Sequence, residues 1–230
     1  MPTTLITGVN RGIGLELLRQ YAADNWQVIG TCRDLTNATE AVALAEASEH
    51  VTLHELDVTD DAAVTALAEK LSGTAIDVLI LNAGVMGQDS VKLGELQSED
   101  FRNVLNVNVV AQAMCLQAFA RHVSASERRI IVGMGSFLGS MGLNADGGLY
   151  SYRAAKAGMH AIMVSASQDL RKQGVTAIVM HPGWVQTDMG GQDATVSCET
   201  SVTGMRTVID GLTPKDSGRF LSYAGEEMAW

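Results

Sequence analysis

Tyr152 and Lys156 stand four residues apart in Tyr152-Arg153-Ala154-Ala155-Lys156, and a helix, repeating every 3.6 residues, sets such a pair on one face. A phenol beside a cation is an acid able to work near neutral pH. Free tyrosine titrates near ~10, and bringing that to ~7 takes about 4 kcal/mol of preferential stabilisation of the phenolate, which a close, partly desolvated ammonium supplies. The same spacing also arises where a tyrosine merely covers an aliphatic stem, so the surrounding elements must carry the reading.

Near the start of the chain, Thr3-Thr4-Leu5-Ile6-Thr7 reads as a short buried strand, followed by Gly8-Val9-Asn10-Arg11-Gly12-Ile13-Gly14 and a helical run from Leu15 to Ala22. Glycines permit positive φ and close backbone approach, and the helix N-terminus offers unpaired N–H groups and a positive dipole end to a pyrophosphate. Gly8, Asn10, Arg11, Gly12, Ile13 and Gly14 are therefore read as a dinucleotide cradle, the more so because a second strand, 27–32, follows.

The spacing Gly-x-x-x-Gly-x-Gly, together with Tyr152 and Lys156, resembles the short-chain dehydrogenase/reductase family, and further landmarks match in order along the whole chain. Asn82-Ala83-Gly84 follows an apolar strand, as the family's Asn-Ala-Gly turn does. Asn108 matches the helix asparagine of the catalytic tetrad, and Ser136, closing the strand Arg129–Gly135, matches its serine. Pro182, Gly183, Val185 and Thr187 match the segment that contacts the nicotinamide end, and Asp57 with Val58 falls at the adenine. Ser136 precedes Tyr152 by sixteen residues where the family usually has about a dozen. A short insertion accounts for this, and it is similar to the subgroup containing C-factor and sniffer-type carbonyl reductases, which shares Gly-Gly-x-Tyr-x-Tyr-Arg here and a Gly-Glu-x-x-x-Trp-like tail. Ser140 and Tyr150 are the rival hydroxyl and phenol; Tyr150 has Ala154, not lysine, four residues on.

The resemblance implies a carbonyl reductase, or the reverse alcohol dehydrogenase. Tyr152 donates a proton to the carbonyl oxygen, Ser136 hydrogen-bonds that oxygen, Lys156 holds the nicotinamide ribose and lowers the phenol pKa, and Asn108 anchors a water that returns a proton to Lys156. An intact tetrad opposes the rival reading, a non-enzymatic dinucleotide sensor or signalling protein on the same scaffold. The cofactor implied is NADPH rather than NADH. Cys32 occupies the place where NAD-dependent members hold an acid, and Arg33 and Arg11 can bracket a 2′-phosphate. Asp34, about twenty residues after Gly14, is the contrary signal.

Elements of two kinds must position these residues. Short β-rich runs near 3–7, 27–32, 51–56, 76–81, 129–135, 175–180 and 219–222 alternate with helical patterns near 12–24, 38–48, 61–72, 98–122, 151–172 and 199–211. That alternation predicts an α/β, doubly wound parallel sheet of Rossmann type, one three-layer domain over 1–230, with Gly8, Asn82, Ser136 and Pro182 just past strand ends. Helices 98–122 and 151–172 carry apolar residues around much of their circumference, among them Val109, Ala113, Leu116, Ala157, Ile162 and Val164, which predicts a homodimer through these faces. The glycine-rich stretch 188–198 reads as a mobile lid. Met86, Phe137, Leu143, Trp184 and Met189 are candidate pocket residues suited to an apolar or aromatic ketone or aldehyde.

Composition excludes other classes. A net charge of -10 disfavours a nucleic-acid partner. No apolar run approaches ~20 residues and no signal-peptide pattern opens the chain, so neither membrane insertion nor export is expected. Three scattered cysteines, Cys32, Cys115 and Cys198, indicate neither a disulfide framework nor zinc, and fit a reducing cytoplasm. His50 and His54 are four apart, but 51–57 reads as a strand, in which that spacing makes no metal pair. Ser136 lacks a Gly-x-Ser-x-Gly elbow, so His181 reads as a capped histidine at a strand end rather than a hydrolase base.

Overall fold

Seven strands run parallel in one sheet: Thr3–Thr7 (β1), Gln27–Cys32 (β2), Val51–Glu55 (β3), Val78–Leu81 (β4), Ile130–Met134 (β5), Thr176–His181 (β6) and Phe220–Ser222 (β7), in the order β3-β2-β1-β4-β5-β6-β7. The computed structural model of the chain describes residues 1–88 and 92–230. The strands are apolar on both faces because helices cover both. Successive residues alternate between two cores: Leu5, Leu79, Ile131 and Ala177 point to one side, and Ile6, Ile80, Val132 and Ile178 to the other. The first core is closed by Asp61–Lys70 (α3), Ala111–Ser124 (α5) and Tyr150–Asp169 (α6), through Leu67, Phe119 and Met163. The second is closed by Gly12–Ala23 (α1) and Cys198–Gly211 (α7), through Leu17, Leu18 and Met205. A shorter helix, Thr39–Ala47 (α2), follows β2, and Ser98–Leu105 (α4) precedes α5.

The expected doubly wound sheet is thus present, with strand boundaries within two residues of expectation. Chain order reverses between β1 and β4, so the crevice past their carboxyl ends, where Gly8 and Asn82 lie, is the binding position of such a sheet.

Two expectations change. The helix read as 98–122 is not uniform: α4 and α5 are joined by a π turn, Asn106–Val110, with Asn108 buried in it. The turn alters hydrogen bonding without altering composition, which hides it from the reading of a helix already apolar around much of its circumference, and such turns collect at functional sites. The stretch 188–198 is not an unpatterned loop: it is hydrogen-bonded to 184–186. The Gln186 amide donates to Val196 O (2.8 Å), the Val196 amide to Trp184 O (3.0 Å), the Gln186 side chain to Ala194 O (3.0 Å) and the Trp184 indole to Gly190 O (2.7 Å). Among the described residues no helix is long and apolar enough to cross a membrane.

Candidate active site

Past the carboxyl end of β1, Gly8 and Gly12 take positive φ (77° and 57°), the region open to glycine, and the turn leads directly into α1. Asn82, just beyond β4, clips this turn: its side-chain amide donates to Thr7 O (2.9 Å) and Gly8 O (3.0 Å). The buried Thr7 hydroxyl answers by accepting the amides of Asn82 and Ala83, both at 3.0 Å. A methyl group on Gly14 would meet Gly8 O at 2.0 Å, so only glycine lets α1 start this close to the strand. Gly12 faces Thr187, whose methyl would lie 3.3 Å from an added Cβ, and so Thr187 packs against the cradle. A backbone-lined concavity at a helix N-terminus fits a dinucleotide pyrophosphate.

Asn108 spends both polar atoms of its amide on the loop after β4, accepting from Val85 N (2.8 Å) and donating to Val85 O (2.7 Å). Gln112, absent from the sequence expectations, donates to Ala83 O (2.9 Å) and Val107 O (3.0 Å) and joins the π turn to the same loop. The Asn108 side chain is therefore a strut for the Asn82-Ala83-Gly84 segment.

Tyr152 and Lys156 lie one turn apart on the buried face of α6, 7% and 6% exposed. The Lys156 ammonium donates to Met134 O (2.8 Å), the last carbonyl of β5, and sits 5.5 Å from the centre of the Tyr152 ring. Burial pushes the phenol up to about 12, with Ser136 pulling the other way, and pushes the ammonium down to about 8. The depressed phenol pKa expected from the spacing is not a property of the chain alone, because desolvation outweighs the hydrogen bond with Ser136. Of the rival hydroxyls, Ser136 is the one that acts on the phenol; Ser140 caps the following loop by accepting Leu143 N (3.1 Å).

Two histidines hold the serine. Ser136 N donates to His160 Nε2 and Phe137 N to His181 Nδ1, each at 3.3 Å, while Leu138 N donates to the Ser136 hydroxyl oxygen (3.1 Å). His181 thus has the structural role expected of it. His160 was missed, although its place eight residues after Tyr152 on the same helix face was a usable signal.

Past the end of β2, Asp34 is engaged in its own turn, accepting Thr36 N (2.8 Å), Thr36 Oγ1 (2.6 Å) and the Asn37 amide. Cys32 ends β2 buried, and Arg33 is exposed and near enough to Asp57 to help lower its pKa, behind the larger effect of the Thr59 amide. Val58 is buried. The second expected guanidinium, Arg11, pairs with Asp188 in an exposed contact between the cradle and the β6 loop. Of the pocket candidates, Phe137, Leu143, Trp184 and Met189 are exposed rather than core. Among the described residues no cluster of three or more metal-ligating side chains occurs.

With this geometry in place, relatives can be compared. The short chain dehydrogenase family profile matches residues 2–196. The chain is 41% identical over 165 residues to C-signal of Myxococcus xanthus, covering 72% of this chain and 99% of that protein. Its structure superposes on carbonyl reductase Sniffer of D. melanogaster with a TM-score of 0.94 at 32% identity, covering all of both chains. An NADPH-bound carbonyl reductase from chicken fatty liver superposes with a TM-score of 0.93 at 32% identity, covering 100% of this chain and 99% of that one. The chain belongs to the short-chain dehydrogenase family, and is a nicotinamide-dinucleotide-dependent oxidoreductase.

Both site histidines receive a backbone amide and so fit only uncharged; burial moves each from 6.5 to about 4. The unfolded chain takes up these protons first, so stability is intact above pH 6.5, falls as pH drops below it, and stops falling once the folded rings protonate near 4. Replacing either histidine by glutamine should reduce the slope of unfolding free energy against pH in this window by about 1.4 kcal/mol per pH unit. Urea titrations across the window test this, and an unchanged slope would contradict a neutral buried ring.

Proposed function

We propose that the chain reduces a ketone or aldehyde carbonyl to the alcohol, or runs the reverse oxidation, with NADPH as its cofactor and Tyr152 as proton donor. The observation that carries this reading is the buried phenol and ammonium on one face of α6, set against Ser136 at the end of β5. When bound, the dinucleotide supplies the hydride. Gly8, Asn10, Arg11, Gly12, Ile13 and Gly14 with Asn82, Ala83 and Gly84 hold its phosphates and central portion, and Asp57 and Val58 its adenine. Pro182, Gly183, Val185, Thr187 and Lys156 hold the nicotinamide end.

Tyr152 gives its proton to the carbonyl oxygen, and Ser136 donates a hydrogen bond to that oxygen as negative charge develops on it. The Ser136 oxygen already accepts Leu138 N, which leaves its proton for the substrate. Exposed Phe137, Leu143, Trp184 and Met189 favour an apolar or aromatic carbonyl. The unpaired cysteines agree with action in the cytoplasm.

The second reading, a dinucleotide-binding signalling protein without turnover, draws support from the name of the Myxococcus relative. Tyr152→Phe separates the two. It should lower carbonyl reduction by ~10²-fold or more while NADPH affinity stays nearly intact. Residual turnover above about a tenth of wild type would remove Tyr152 from the chemistry.

NADPH is favoured over NADH because Asp34 is committed to Thr36 and Asn37, while Arg33 forms no ion pair among the described residues. Fluorescence titrations at fixed ionic strength should show NADPH binding at least about tenfold tighter than NADH, near 1.4 kcal/mol. Arg33→Ala should erase most of that gap, and a preference that survives this change would overturn the assignment.

We further propose a homodimer through α4, α5 and α6. Val110 in the π turn is 49% exposed, and Val109, Ala113, Ala157, Ile162 and Val164 are only half-buried. Sedimentation at micromolar concentration should give twice the 24.4 kDa of one chain; a lone monomer would refute it.

A further inference from the structure

Ser136, Phe137 and Leu138 present three consecutive amides, and each has its own acceptor: His160 Nε2, His181 Nδ1 and the Ser136 hydroxyl. The first of these sits at the centre of a fitted pocket. An added Cβ at Gly135 would come within 2.7 Å of His160 Nε2, and one at Gly139 within 2.6 Å of His160 Cε1. The turn that carries the serine is thus moulded on the imidazole from both sides, and two residues are glycine to admit it. On the ring's other flanks lie Phe220, with centres 4.5 Å apart, and Trp230, at 5.6 Å; Trp230 stacks in turn on Phe220 at 5.3 Å. The Trp230 carbonyl also accepts Gly142 N (2.9 Å), tying the loop between Ser136 and Tyr152 to the same aromatic cluster.

We infer that His160 is a positioning residue for Ser136, its imidazole taking the serine amide and, backed by Phe220 and Trp230, fixing the hydroxyl relative to Tyr152. A backbone amide can be received by many groups, but this acceptor comes from α6 itself, eight residues beyond Tyr152 and four beyond Lys156. One helix face therefore carries the phenol, the ammonium and the anchor of the serine. A shift of α6 moves all three together, so their mutual geometry is conserved where a serine anchored only to its own strand would drift. The inference rests on the proposed carbonyl chemistry for its effect on rate, though not for its effect on the turn.

The test compares the full chain with His160→Phe, which keeps a ring against Phe220 and Trp230 but removes the acceptor, and with His160→Gln, whose amide oxygen can replace it. Three quantities are read: kcat and KM for NADPH-dependent reduction of an aromatic aldehyde, NADPH affinity by fluorescence, and hydrogen exchange of the Ser136, Phe137 and Leu138 amides. His160→Phe should lower kcat by about tenfold or more, a part of the ~10²–10³ that a full oxyanion donor contributes. NADPH affinity should stay within about twofold, and exchange should quicken at Ser136 while the strand amides of β1 and β4 are unchanged. His160→Gln should recover most of both losses. Unchanged kcat and exchange in His160→Phe, exchange that quickens throughout the molecule, or a glutamine variant no better than phenylalanine would overturn the inference. Should His160→Phe not fold, Trp230→Ala, at a half-exposed position, should produce the same local quickening in weaker form, and wild-type exchange there would overturn it equally. If the wild-type chain reduces no carbonyl, the proposed reaction fails, and the exchange measurement still decides the role of His160.

Discussion

The close approach of α6 to β5 is the constraint on which the site depends. Side chains on a helix normally hold it about 10 Å from a sheet, and here glycines remove the obstruction along one line. A methyl on Gly133 would lie 2.6 Å from Met163 and 2.7 Å from Met159, and one on Gly139 would lie 2.8 Å from the Lys156 backbone. Seated this deep, α6 delivers Lys156 to the final carbonyl of β5 and buries Tyr152 beside the serine that follows that strand. A buried ammonium with a single carbonyl partner is costly, and the sheet core around Met159 and Met163 supplies the packing that offsets it.

The rest of the crevice is built by similar economies of backbone. Asn82 replaces part of the sheet's hydrogen bonding past its edge by clipping the glycine turn, and Thr7 closes the same circuit from β1. Asn108 does this from the other side, reaching out of the π turn to Val85 O, and Gln112, from the start of α5, joins Ala83 O to Val107 O of that turn. Gly158 lets α6 pass that turn, since a Cβ there would meet Val109 at 3.2 Å. Cradle, strut and α6 are thus coupled through backbone groups that would otherwise be buried without partners.

What was legible in the sequence follows from which forces act locally. The strands were readable because both faces are covered, so Val78–Leu81 and Ile130–Met134 are continuous apolar runs. Tyr152 with Lys156, and the glycine turn, stood out because spacing within one element has a chemical meaning, whereas Ser136 and Asn108 stood out only through the family resemblance. The π turn was not, because it changes hydrogen bonding without changing composition. Arg11 with Asp188 was not, because 177 residues separate partners that only the fold brings together. Asp34 was ambiguous until the bonds from Thr36 and Asn37 showed where its carboxylate is spent.

The sign of the Tyr152 shift is the most instructive case, because two local effects oppose each other and only burial decides. In water a tyrosine phenol and a lysine ammonium titrate within about half a unit of one another, so neither would pass a proton to the other with much driving force. Here burial penalises the charged form of each, and those forms have opposite relations to the proton. The phenol rises to about 12 and the ammonium falls to about 8. In its proposed role as donor, Tyr152 is thereby kept protonated at neutral pH by the same burial that weakens the charged form of its lysine neighbour.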